Sequence, residues 1–168
     1  MPIQALIFDF GGVVMRTEDR RPRTMLAGGF GLSYEQLEHL VFNSPSGRAA
    51  QLGLITPEEH WETMRTRLGF QSKELPAIQT AFFGGDVVDR TLVEEIQALR
   101  PRYKTALLSN AMAGLRGELA RYGLLNLFDE IVISAEVGVM KPQASIYALT
   151  LARLAVPAHE AVFIDDFP

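Results

Sequence analysis

The chain has 168 residues, 48% hydrophobic and 21% charged, proportions suited to a folded globular protein with an ordinary core. A formal charge of −4 argues against binding nucleic acid or an anionic membrane by bulk attraction. The sequence has no cysteine, which excludes disulfides, thiolate metal sites and cysteine nucleophiles.

The opening stretch MPIQALIFDFGGVVM carries an apolar run interrupted by Asp9 and has no basic lead-in, so it does not read as a signal peptide. No apolar run approaches the roughly 18 residues of a membrane span. The expected location is cytoplasmic. ALIFDF (5–10) is the first strand signal. From about residue 15 to 85 the pattern changes: no strand is evident, and helix starts recur. Ser33-Tyr34-Glu35-Gln36 is a capping box. Thr56-Pro57-Glu58-Glu59 is a second, with proline at the first helical position. The helix after it carries Trp61, Met64 and Leu68 at helical spacing and stops at Gly69. These three apolar residues are expected to pack in the core of the segment.

Strand and helix then alternate. A helix at 91–100 follows the N-cap Asp89, and KTALLSN (104–110) is a strand. A helix at 115–122 stops at Gly123 and leads to the strand EIVIS (130–134). A helix at 143–154 follows Pro142 and leads to the strand AVFIDD (161–166). Apolar runs this continuous suit strands buried on both faces. The alternation predicts an α/β fold, a Rossmann-like doubly wound parallel sheet. The insertion of about 70 residues after the first strand is far longer than such a connection requires, as expected of a lid or a substrate-selecting module.

Ligands of open α/β sheets bind at the C-terminal ends of the strands. Those ends carry Asp9, the pair Ser109-Asn110, and the pair Asp165-Asp166; Lys141 sits in GVMKP before a helix. Like charges 4 Å apart repel by about 4 kcal/mol at an effective dielectric of about 20. Three converging carboxylates with one lysine therefore call for protons or a cation. Mg²⁺ suits a site of oxygen donors without cysteine or a nearby histidine. A cation beside a lysine in turn suits phosphate.

DFGGVV, LLSNA, VGVMKPQASIY and VFIDD resemble the four ordered motifs of the haloacid dehalogenase superfamily. The inserted helical segment resembles its C1-type cap, and the likeness to a subfamily IA-like member covers essentially the whole chain. The resemblance implies a catalytic core at 1–14 and 86–168 with a cap at 15–85. It implies a Mg²⁺-dependent hydrolase of a small phosphorylated metabolite acting through an aspartyl phosphate. Asp9 matches the nucleophile, Ser109 the residue that hydrogen-bonds the transferring group, and Lys141 the lysine that steadies the developing charge. Asp166, Asp165, Asp9 and the Gly11 carbonyl match the metal ligands, Asp165 acting directly or through water. Asn110 lies beside the substrate, and Gly12 leaves room for the phosphoryl group.

Gly11 departs from the pattern, because most phosphatases of the superfamily carry there an Asp that protonates the leaving group. Such acid–base help is worth about 10²–10⁴ in rate. Three explanations stand: a good leaving group, a substitute such as His60 or water, or weak turnover. The rival readings are a 2-haloacid dehalogenase, which needs no metal, and a binding or regulatory member. The superfamily also runs on through a further helix and strand after the fourth motif, so the strand at 161–165 is expected to be an edge. Arg16, Arg20, Arg21 and Arg23 read either as a basic cluster that steers or grips an anionic substrate or, the reading preferred, as a solvated helix face balanced by Glu18 and Asp19. His39, His60 and His159 show no ligand spacing and read as surface or hydrogen-bonded histidines.

Overall fold

The computed structural model describes residues 2–166. The first apolar run forms strand β1 (Ala5–Phe8). The chain turns through Gly11 and Gly12 into β2 (Met15–Thr17), which pairs antiparallel with the distant β3 (Asp86–Val88). Met15 lies opposite Val88 and Thr17 opposite Asp86. This ribbon corrects the expectation of no strand in the inserted segment. Strands of 3 residues are too short for alternation to show in a sequence.

Between the two ribbon strands lie α1 (Arg21–Gly29), α2 (Tyr34–Glu38), α3 (Pro45–Gln51), α4 (Pro57–Leu68) and α5 (Leu75–Phe83). Both capping boxes form. The Gln36 N–H donates to Ser33 Oγ at 3.2 Å and the Glu59 N–H to Thr56 Oγ1 at 3.2 Å. In return, Gln36 and Glu59 accept from the Ser33 and Thr56 N–H groups. Helix α4 ends where Gly69 takes a left-handed φ of 76°, a conformation that costs glycine nothing. The five helices enclose their own apolar cluster, in which Leu37, Trp61, Met64, Ile78 and Phe82 are buried.

The remaining elements are α6 (Arg90–Leu99), β4 (Lys104–Ser109), α7 (Leu115–Arg121), β5 (Glu130–Ile133), α8 (Ser134–Val137), α9 (Ala144–Leu154) and β6 (Ala161–Ile164). The sheet is parallel throughout, in the order β5-β4-β1-β6. Successive side chains face opposite sides of a strand. Phe8 and Leu107 therefore pack with Val93, Ile96 and Leu119 of α6 and α7 on one face. Ile7, Ala106 and Leu108 pack with Ile146 and Leu154 of α9 on the other. Two covered faces explain why the strand sequences are apolar without alternation. Strand β6 is an edge, with Val162 40% exposed.

The arginine cluster differs from expectation at one position. Arg16 pairs with Asp89 and Arg21 with Asp19 at the surface, but Arg23 is only 3% exposed. Its guanidinium donates to Asp86 at 3.0 and 3.1 Å, to the Phe82 carbonyl at 2.8 Å and to Glu38. A charge can be buried here because its donors are matched by acceptors. Arg23 thus ties α1 to the start of β3.

Candidate active site

Asp9 extends the β1 ladder by one step, its N–H donating to the Ile164 carbonyl at 2.9 Å. The pairing fixes where its side chain emerges. Its Oδ1 accepts from the Phe10 N–H at 2.7 Å and its Oδ2 pairs with Lys141 Nζ at 2.8 Å. Lys141 also donates to Asp165 Oδ2 at 2.7 Å. The ammonium thus bridges two strand ends while its backbone is held from a third. The Lys141 N–H donates to Asn110 Oδ1 at 2.8 Å, and Asn110 Nδ2 donates to the Lys141 carbonyl at 3.0 Å. Both ends of the Asn110 amide are engaged this way, so its role in this structure is to position Lys141.

One oxygen from each of Asp9, Asp165 and Asp166 lies within 4.8 Å of the others. Burial pushes the Asp9 carboxyl above the usual carboxylate range, Asp165 adds to the rise, and Lys141 and the Phe10 N–H oppose it. Clustered hard oxygens with surplus negative charge fit a divalent cation such as Mg²⁺. The glycine turn makes the cluster possible. Gly12 has a φ of 80°, and a Cβ there would stand 2.1 Å from Asp166 Oδ2. Gly11 has open space instead, with nothing within 4 Å of a Cβ position. No side chain at 11 supplies an acid.

A cavity of about 500 Å³ lies between the sheet edge and the inserted helices. Asp9, Ser109 and Asn110 form part of its wall, and Val41, Phe42, Trp61 and Phe83 of the insertion another part. Trp61 therefore both packs in the helical cluster and faces the cavity, where spacing alone indicated packing. His60 does not line it. It is fully buried, its Nδ1 lies 3.0 Å from Ser46 Oγ, and its Nε2 has no hydrogen-bond partner among the described residues. Burial holds its pKa below the usual histidine range. His60 is thus a buried histidine hydrogen-bonded through Nδ1 rather than a surface one, and it does not stand in the cavity as a substitute for the acid missing at Gly11.

Two contributors were not singled out from the sequence. Ser134, buried at the end of β5, donates to the Gln51 carbonyl of α3 at 2.6 Å and accepts from the Ala111 N–H at 3.0 Å. It thereby joins the insertion to the sheet. A polar residue closing the run EIVIS carried the same signal as Ser109 after β4. Nearby, a Cβ at Gly53 (φ 69°) would stand 2.3 Å from the Ala135 carbonyl, so glycine permits the close approach. The other is Asp86, a single acid before two valines. It also lines the cavity and accepts from Thr17 Oγ1 at 2.6 Å.

A family model described as haloacid dehalogenase-like hydrolase matches residues 3–168. The chain belongs to this family. Among solved structures, a haloacid dehalogenase family enzyme of Bacteroides thetaiotaomicron, in complex with magnesium and inorganic phosphate, superposes with a TM-score of 0.78 at 22% identity. The match covers 98% of this chain and 85% of that one. A phosphatase of the family from Thermococcus onnurineus gives 0.60 at 22% identity, covering 96% and 76%. At these identities the likeness concerns the fold. A glyceraldehyde 3-phosphate phosphatase of Methanopyrus kandleri is 37% identical over 65 residues, 38% of this chain and 28% of that protein; the match spans less than a third of that relative. This haloacid dehalogenase-like hydrolase has, among its described residues, no helix long and apolar enough to cross a membrane.

Proposed function

We propose that the protein is a Mg²⁺-dependent phosphatase of small phosphate monoesters, with residues 1–14 and 86–168 as catalytic core and 15–85 as cap. The observation that carries this reading is the meeting of Asp9, Asp165 and Asp166 oxygens within 4.8 Å beside Lys141. The phosphatase relative and the neighbour holding magnesium and phosphate support it.

Asp9, Asp165, Asp166 and the Gly11 carbonyl would hold the cation. When bound, it supplies positive charge that offsets the carboxylates and the phosphoryl oxygens. Asp9 attacks phosphorus as the bond to the leaving oxygen breaks, giving an aspartyl phosphate. Lys141 and the Phe10 N–H hold the Asp9 carboxylate in one orientation, and Lys141 offsets charge as it develops. Ser109 donates its hydroxyl to a phosphoryl oxygen. Gly12 leaves the space in which Asp166 stands and the phosphoryl group is admitted. Water then attacks the same phosphorus as its bond to the Asp9 oxygen breaks; the water's protons leave with phosphate and solvent, and the Asp9 carboxylate is restored.

The test is phosphate release from acetyl phosphate by the wild type and by Asp9→Asn, with and without Mg²⁺. Activity requiring both Asp9 and the ion is expected. Full activity of Asp9→Asn would overturn the nucleophile assignment. Gly11 favours one other reading, a 2-haloacid dehalogenase in which Asp9 attacks carbon. Halide release that survives a chelator would establish it; the convergence of three carboxylates counts against it, since carbon displacement uses no cation.

A further inference from the structure

We propose that the cavity facing Asp9 selects monophosphate esters of neutral aromatic alcohols and rejects esters carrying a second anionic group. The inference rests on the phosphatase reading and adds the chemistry of the leaving group, on three observations.

The first is the character of the wall opposite Asp9. Phe42, Trp61 and Phe83 face the cavity from the insertion, and Met112 and Tyr122 from the other side. The three insertion rings are set around the buried Phe82. Phe42 and Phe82 lie 5.5 Å apart, Phe82 and Phe83 4.8 Å at 81°, and Trp61 and Phe83 6.5 Å at 74°. These are edge and tilted ring contacts, which fix ring orientation. Phe83 nonetheless stays 44% exposed. A large ring left open beside a reactive carboxylate offers apolar area to a ligand.

The second is the charge of the lining. Among the described residues lining the cavity there is no lysine or arginine. Its charged members are Asp9, Asp86 and Glu118. Arg23, the buried arginine of the insertion, is committed to Asp86, Glu38 and the Phe82 carbonyl. A second phosphate or a carboxylate on the substrate would lose its water and meet no cation. A neutral ring loses nothing of the kind.

The third is the lack of a proton for the leaving oxygen. Gly11 has no side chain to supply one. Asp86 has both carboxylate oxygens engaged, by Thr17 and by Arg23. Glu118 pairs with Arg121 at 3.5 Å and is half exposed, and His60 stands outside the cavity wall. With its wall carboxyls engaged or assigned to attack and no imidazole lining it among the described residues, the cavity breaks the ester without a carboxyl or imidazole acid. The Asp9 oxygen bonds to phosphorus, the bond from phosphorus to the ester oxygen breaks, and the electron pair departs with the alkoxide or phenolate, which later takes a proton from water. A phenolic oxygen, with a pKa of about 10, departs this way far more readily than an alkanol oxygen. Wall and missing acid therefore ask for the same substrate.

The test compares kcat/KM for acetyl phosphate, 1-naphthyl phosphate, glycerol 2-phosphate and phosphoglycolate with Mg²⁺. The expected result is that naphthyl phosphate exceeds phosphoglycolate and glycerol 2-phosphate by about 10²-fold. Phe83→Ala, at a position 44% exposed on the edge of the aromatic cluster, is expected to lower the ratio of naphthyl to acetyl phosphate hydrolysis about tenfold, with a circular dichroism spectrum like that of the wild type. Gly11→Asp, which has room for its side chain, is expected to raise glycerol 2-phosphate hydrolysis by about 10²-fold. Equal or better hydrolysis of phosphoglycolate than of naphthyl phosphate overturns the inference and leaves the phosphatase reading standing. So does a Phe83→Ala ratio equal to that of the wild type, or a Gly11→Asp variant with no gain. Failure to hydrolyse any of the four substrates overturns the phosphatase reading, and the inference falls with it.

Discussion

The rim of the sheet and the inserted helices meet at one cavity but are built by different rules. At the rim, backbone pairing determines where each side chain emerges. Asp9, Ser109 and the Asp165-Asp166 pair follow strands held in parallel register, so residues far apart in sequence are brought together by the ladder alone. In the insertion the described residues form no ladder beyond the short β2–β3 ribbon at its base. Its helices are placed by side-chain packing around Phe82 and by the buried Arg23, and one aromatic residue can both pack in the cluster and face the cavity, as Trp61 does. A site on a sheet edge is thus determined by topology, and a site on packed helices by the fit of individual side chains.

This contrast can be broken at either region. The largest effect is expected at the rim. Asp9→Asn should lower phosphate release by on the order of 10⁴-fold while leaving the circular dichroism spectrum and melting temperature close to wild type. Gly12→Ala should come next. Its Cβ would fall on the Asp166 carboxylate at a positive φ, so Mg²⁺ binding by calorimetry should be lost, with a stability cost of about 1–3 kcal/mol.

In the insertion the largest expected loss is of stability. Arg23→Ala leaves Asp86 and Glu38 without their cation and should cost about 3 kcal/mol in denaturant unfolding. Ser134→Ala removes the bond from the sheet to Gln51. It should cost about 1–2 kcal/mol and increase amide exchange in α3 before that in β4.

The smallest effect lies at the opposite end of the sheet. Burial raises the Asp129 pKa, but hydrogen bonds from the Thr105 N–H and Arg100 outweigh it and hold the folded value below the usual range. A carboxyl depressed on folding stabilises above its unfolded pKa of about 4, and that contribution is lost as pH falls through the folded value. Asp129→Asn should therefore be less stable at pH 7 by under about 1 kcal/mol. The difference should shrink as pH falls below about 4, as thermal melts at pH 7 and at successively lower pH would show.

The same contrast explains what could be read in the sequence. Each sheet strand announced itself as an apolar run with a polar residue at its end, and Asp9, Lys141, Asp165 and Asp166 meet as that pattern implied. Helix starts in the insertion were equally plain, because a capping box is local chemistry between residues three apart. Arg23 and His60 were not legible. Their burial depends on which helix faces pack together, and nothing within one turn of either residue encodes that. Asn110 was placed at the correct strand end, but its amide turns to the Lys141 backbone, a contact fixed by the loop before α9 and invisible in the LLSNA segment. The β2–β3 ribbon escaped notice because each strand is short and its partner is distant.

That ribbon has a consequence for how the molecule can vary. Met15 and Val88 lie directly opposite in this ribbon, so the loop containing all five inserted helices is closed at its base by backbone pairing. The entropic cost of closing a loop grows only slowly with its length. A paired neck of this kind tolerates lengthening, shortening or exchange of everything beyond it with little disturbance to the strand ends that bear Asp9, Asp165 and Asp166. On the phosphatase reading, substrate range can therefore drift through the inserted helices while those carboxylates stay in place.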